Sequence, residues 1–136
     1  MTTDAGGRPN GHSHRRRLTS LGVEDEVLVR AATAYQLRSI GYTVVEAGDA
    51  SHALEVLQSQ MQIDLVFTDI MMPGLLDGFD LARVVLSEYP KTKMVATSGV
   101  PHSAAHFKSL PMLRKPYTLQ ELERVIEQLI GKPDLD

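Results

Sequence analysis

The chain has no cysteine, so neither disulfides nor thiolate metal sites enter its chemistry. Such a chain is compatible with a reducing compartment. No apolar run approaches the roughly 20 residues of a membrane-spanning helix. No signal peptide is visible, because the first residues are polar and rich in glycine. No internal repeat is evident. We therefore expect a soluble, cytoplasmic protein with no membrane partner. At 136 residues the chain can bury one good core and no more. The formal net charge of −3 is uneven: residues 1–17 carry four Arg and one Asp, +3, which leaves −6 for the rest. An acidic body argues against nucleic acid as the partner of the folded part.

Residues 1–17 have almost no apolar content and include Gly6-Gly7, Pro9-Asn10-Gly11 and His14-Arg15-Arg16-Arg17. They read as a disordered basic tail. The folded domain is expected over 18–131, with 132–136 a short C-terminal tail and nothing left for an output domain.

What the chain does have is Leu65-Val66-Phe67-Thr68-Asp69-Ile70-Met71-Met72-Pro73-Gly74. Leu65 to Phe67 form a short apolar run suited to a buried strand. Asp69 stands at its end, and Pro73-Gly74 break regular structure soon after. An acid at the carboxyl end of a buried strand lies where open α/β sheets build their sites. Alone, Asp69 reads equally well as a carboxylate that caps a turn. Its companions decide: Glu24-Asp25, Thr97-Ser98 and Lys115-Pro116 each follow another candidate strand. A parallel sheet would gather all four sets at one edge. Three carboxylates there repel one another unless a cation joins them, and an all-oxygen ligand set suits Mg²⁺. A hydroxyl and an ammonium beside them could hold the oxygens of a phosphoryl group on Asp69. A carboxylate can accept that group as an acyl phosphate.

Five pieces in order, Val23-Glu24-Asp25-Glu26, Thr68 to Pro73, Asp77-Gly78, Ala96-Thr97-Ser98-Gly99 and Arg114-Lys115-Pro116-Tyr117, cover about residues 18–130. On these the chain resembles the receiver domains of two-component response regulators, in particular stand-alone and hybrid-kinase receivers. The resemblance implies Asp69 as phospho-acceptor and Glu24, Asp25, Asp69 and the backbone carbonyl of Met71 as Mg²⁺ ligands. It implies Thr97 and Lys115 as ligands of the phosphoryl oxygens, and a cis peptide before Pro116. A sensor histidine kinase or histidine phosphotransfer protein would be the phosphodonor; the downstream target is not named by the sequence. The protein would then be no enzyme beyond catalysing its own phosphorylation and dephosphorylation.

Strands are expected at 18–23, 43–47, at Leu65 to Phe67, at 93–96 and at 112–114. Helices are expected from Glu26 to Ser39, after a cap at Asp49, from Phe79 to Glu88, and after a Thr118/Glu121 capping box. Alternating strands and helices give a doubly wound α/β sandwich with a five-stranded parallel sheet and helices on both faces. The flavodoxin-like strand order 2-1-3-4-5 comes from the resemblance. Leu28, Ala31, Ala32, Tyr35 and Ile40 give the first helix its apolar spacing, and Leu122, Val125, Ile126 and Leu129 the last.

Three departures stand out. The first strand, Leu18-Thr19-Ser20-Leu21-Gly22-Val23, is not continuously apolar; its hydroxyls need backbone partners, and Gly22 removes a packed side chain. Met112 stands where receivers often carry an aromatic. Residues 101–110 offer poor helix material, so one or two turns are expected, with His102 and His106 solvated rather than metal-binding. Met71 and Met72 are expected to serve packing, not a soft metal. Two other functions compete. One is a phosphate-independent interaction module on a receiver scaffold. The other is an Asp-nucleophile phosphatase, which wants an acid two residues after Asp69, where Met71 stands.

Overall fold

The computed structural model describes residues 17–72, 74–99 and 110–131. The basic tail apart from Arg17, the segment carrying His102 and His106, and the C-terminal tail lie outside those residues, as does Pro73. The elements are β1 (Thr19–Val23), α1 (Val27–Ser39), β2 (Thr43–Ala47), α2 (Ala50–Gln58), β3 (Leu65–Asp69), α3 (Gly78–Glu88), β4 (Lys93–Ser98), β5 (Met112–Arg114) and α4 (Leu119–Ile130). The strands form one parallel sheet in the order β2-β1-β3-β4-β5. This is the flavodoxin-like doubly wound fold.

Each strand has two apolar faces because helices cover the sheet on both sides. Leu21, Val23, Val66, Met94 and Ala96 pack with Ala53 and Leu57 of α2 and Leu81 and Val85 of α3. The other face sets Val44, Leu65, Phe67, Val95 and Leu113 against Ala34 and Leu37 of α1 and Leu122 and Ile126 of α4. All five residues of β3 are buried, which explains its unbroken apolar run.

Three helices start where side chains cap them. Asp49 accepts from the His52 amide at 2.7 Å. Thr118 and Glu121 form the expected reciprocal box. Asp77 and Asp80 form a second one, the Asp80 carboxylate accepting from the Asp77 amide at 2.9 Å. At its other end α4 stops at Gly131, whose φ of 87° few side chains tolerate.

The first helix differs from its expected facing. Its buried residues are Thr33, Ala34 and Leu37, while Leu28 is 84% and Tyr35 75% exposed. Ala31 and Ala32 are exposed as well. The helix carries apolar residues nearly all round, so spacing alone cannot choose the side that meets the sheet.

The first strand is as poor in packing as its sequence suggests. The buried Ser20 hydroxyl has no hydrogen-bond partner among the described residues, and neither has Tyr42, whose hydroxyl is pushed up to about 12 by burial and by nearby Asp64. Nothing in the structure requires glycine at position 22: a Cβ there would meet nothing nearer than Val44 Cγ1 at 4.0 Å. Gly78 is the opposite case. A Cβ there would lie 2.5 Å from the Asp69 carbonyl oxygen and 2.5 Å from Ile70 Cα, both backbone atoms. These two glycines should therefore respond oppositely. Gly22→Ala should stabilise the protein by about 0.4–1 kcal/mol through the unfolded chain. Gly78→Ala should cost about 1–3 kcal/mol by overpacking. Urea unfolding measures both, and a destabilised Gly22→Ala protein would show that the space beside Val44 is not free.

Candidate functional site

The parallel register delivers the polar residues to one edge. Asp69, the last residue of β3, sits opposite Thr97 of β4, and the Ile70 amide donates to the Thr97 carbonyl at 2.9 Å. Glu24 and Asp25 follow β1, and Lys115 follows β5. The peptide bond between Lys115 and Pro116 is cis. Ligand atoms of Glu24, Asp25 and Asp69 all lie within 4.8 Å of one another.

Glu24 is 6% exposed. Its Oε1 accepts from Lys115 Nζ at 3.2 Å and its Oε2 from the Glu26 amide at 3.2 Å. Asp69, 9% exposed, accepts from Lys115 Nζ at 3.3 Å through Oδ2 and from the Met71 amide at 3.2 Å through Oδ1. Burial alone would push the Lys115 ammonium down, but the Asp69 and Glu24 carboxylates outweigh it and hold the group above its ordinary value. Asp25, the most exposed of the three acids, goes up instead: a hydrogen bond to the Glu24 carboxyl raises it, and burial adds to that.

A small cavity between β1, β3 and β4 is lined by Gly22, Glu24, Thr33, Asp69, Thr97 and Tyr117, among others. Tyr117 lines it as well, with its ring edge-on to Phe67 at 6.0 Å between centroids. The structure thus brings together the Glu24, Asp25, Asp69 and Lys115 side chains, with Thr97 lining the same cavity. Met71 approaches Asp69 through its main chain, and its side chain is 57% exposed, whereas Met72 is buried in the core. Two residues escaped the sequence reading. Gly78 lets α3 begin directly against the loop after Asp69, its amide donating to the Ile70 carbonyl at 3.0 Å. Arg30 donates from Nη1 to the Glu24 carbonyl at 2.9 Å. Asp77-Gly78 entered only as one piece of the family resemblance, with no role given to the glycine, and an arginine on a helix ordinarily signals a solvated face.

The family model of the response regulator receiver domain matches residues 21–127. The chain belongs to that family. It is 34% identical over 123 residues to the sensor kinase CckA of Brucella abortus, covering 85% of this chain and 13% of that protein. The receiver domain of the hybrid histidine kinase CckA superimposes with a TM-score of 0.67 at 32% identity, over 81% of this chain and 96% of that one. The response regulator TrrA of Thermotoga maritima, solved as a complex with Mg²⁺ and BeF, gives a TM-score of 0.75 at 25% identity, over 83% and 99%. The chain spans only a small part of the length of the sensor kinase it matches. It is a receiver domain of two-component phosphorelay signalling, and its acidic cluster fits a divalent cation: three carboxylates converge with one ammonium to offset them.

The raised Asp25 has a measurable consequence in metal-free protein. A carboxyl whose folded value exceeds its unfolded one destabilises the fold wherever it is ionised, and the penalty is relieved as pH falls through the raised value. Asp25→Asn in EDTA should therefore be more stable than the parent at pH 7. Its advantage should vanish below the ordinary carboxylate value of 3.8. Urea midpoints across that range check it, and equal midpoints at pH 7 would show that the acids do not repel.

Proposed function

We propose that Asp69 accepts a phosphoryl group from a phosphohistidine of a sensor kinase or phosphotransfer protein, with Mg²⁺ bound by Glu24, Asp25, Asp69 and the Met71 carbonyl. The observation that carries this reading is the convergence of the three acids at one edge, two of them on Lys115, beside Thr97 at the end of the sheet. An Asp69 carboxylate oxygen attacks phosphorus as the phosphorus–nitrogen bond to the imidazole breaks, leaving an acyl phosphate and a free histidine. The metal supplies charge neutralisation for the transferring oxygens. Lys115 offers its ammonium, and Thr97 its hydroxyl, to the same oxygens. The Lys115 ammonium lies 3.3 Å from Asp69 Oδ2, within reach of a group carried on that carboxylate. Hydrolysis of the acyl phosphate would return the carboxylate, so the protein's only catalysis acts on itself. The receiver boundaries of 18–131 and a cytoplasmic setting belong to the same reading; no described helix is long and apolar enough to cross a membrane.

The donor would approach over α1. Val27 (65% exposed), Leu28 and Tyr35 form an apolar stripe with Ala31 and Ala32. Beside it an open groove of about 440 Å³ runs from Leu28, Ala32 and Gln36 to Lys115 and Pro116, and Lys115 in turn contacts Asp69. A helical partner bearing its histidine near an apolar face fits that continuity.

Incubation with acetyl phosphate and Mg²⁺ should add one phosphoryl mass, lost in Asp69→Asn and in EDTA; labelling that survives either change defeats the assignment. Leu28→Ala with Tyr35→Ala should slow phosphotransfer from a histidine kinase about tenfold or more, as for interface anchors, yet leave labelling by acetyl phosphate unchanged. Equal slowing with both donors would place the defect in the site and not in docking.

A further inference from the structure

Arg30 starts the buried stripe of α1, one turn before Ala34 and two before Leu37, and its side chain is 22% exposed. A cation at that position needs partners, and the ones it has are informative. Nη1 donates to the Glu24 carbonyl at 2.9 Å, and Nε lies 3.5 Å from Glu46 Oε1 on β2. Glu46 is held in turn by Arg38 Nη2 at 3.6 Å, which also donates to the Val44 carbonyl at 3.2 Å. The guanidinium has room because residue 48 is glycine: a Cβ there would stand 3.3 Å from Arg30 Nη1.

Both peptide groups flanking Glu24 are thereby tied to the end of β2. The Glu24 amide donates to the Ala47 carbonyl at 3.1 Å, and the Glu24 carbonyl reaches Glu46 through Arg30. The carboxylate itself has looser ties, at 3.2 Å to the Glu26 amide and 3.2 Å to Lys115, whose side chain is 32% exposed. We propose that Arg30 is a positioning residue for the cation site: by clamping the turn after β1 to β2, it holds Glu24 and Asp25 where they converge with Asp69. This rests on the divalent-cation reading above. Arginine suits the task because its planar fork serves two acceptors at once, whereas lysine is a single point charge.

The proposal has a sign that electrostatics alone would reverse. A guanidinium near the acids repels Mg²⁺, so removing its charge should tighten binding if charge were its only influence. Positioning requires the opposite. Mg²⁺ titration of the full chain, followed by amide chemical shifts, should show Arg30→Gln weakened about tenfold, the usual scale for a group that orients a metal ligand. Arg30→Lys should fall between Gln and parent. Glu46→Gln should weaken binding about two- to threefold, and its effect should not add to that of Arg30→Gln. Melting temperatures with and without Mg²⁺ complete the test, since a merely structural arginine would lower both equally and leave the affinity alone. Tighter or unchanged binding in Arg30→Gln overturns the proposal while the cation reading stands, provided Glu24→Gln and Asp25→Asn still weaken binding. No Mg²⁺ binding in the parent overturns both. Should Arg30→Gln fail to fold, Arg30→Lys and Glu46→Gln decide by the same measurements.

Discussion

Three carboxylates drawn to one edge of a sheet repel one another, and the architecture of this protein follows from keeping them there. Each pair at such spacing costs on the order of 1–4 kcal/mol, between the limits of bulk water and a protein-surface dielectric. One ammonium, that of Lys115, contacts two of the acids. The third, Asp25, is raised above its ordinary value by a hydrogen bond to the Glu24 carboxyl and by burial. Like charges held together at a cost in stability mark a site built to receive a cation, not a surface decorated by chance.

A parallel sheet is what makes the convergence possible. Consecutive strands run the same way, so their carboxyl ends meet at one edge although the residues involved are far apart in sequence; Glu24 and Lys115 are 91 positions apart. Packing on both faces then fixes the register, because a one-residue slip would exchange the side chains fitted to one helical layer for those fitted to the other. The Asp69–Thr97 pairing shares its register with the packing that seats Leu65, Phe67 and Val95 against α1 and α4.

Much of this was legible in the sequence because the strands announce themselves. Runs such as Leu65-Val66-Phe67 are apolar on both faces, and the polar residues that end them are the ones that converge at the sheet edge. The reciprocal cap of Thr118 and Glu121 was legible for the same reason: it is a local pattern with a local mechanism. The Asp77–Asp80 box was harder to see because an aspartate stands where glutamate or glutamine usually reaches back. The need for glycine at 78 was not legible at all, since it depends on where the Asp69 and Ile70 backbone lies in space. Gly22 was legible as an oddity, and the structure leaves it one.

The first helix shows why some faces resist reading. It has three neighbours to satisfy: the sheet, met by Ala34 and Leu37; the turn after β1, held by Arg30; and the side carrying Leu28 and Tyr35, which opens on the groove leading to Lys115. Each makes its own demand on composition, so apolar residues appear all round and a cation sits in the buried stripe. A helix with one duty would show one clean stripe. The blurred periodicity of α1 is thus itself a consequence of its position, wedged between the core, the acidic turn and the surface beside the acceptor. The same wedge gives a physical route between the last two. A partner docked on Leu28 and Tyr35, as proposed, would press on the helix whose Arg30 holds the Glu24 carbonyl, so that docking face and the geometry of the acidic pair would share one element.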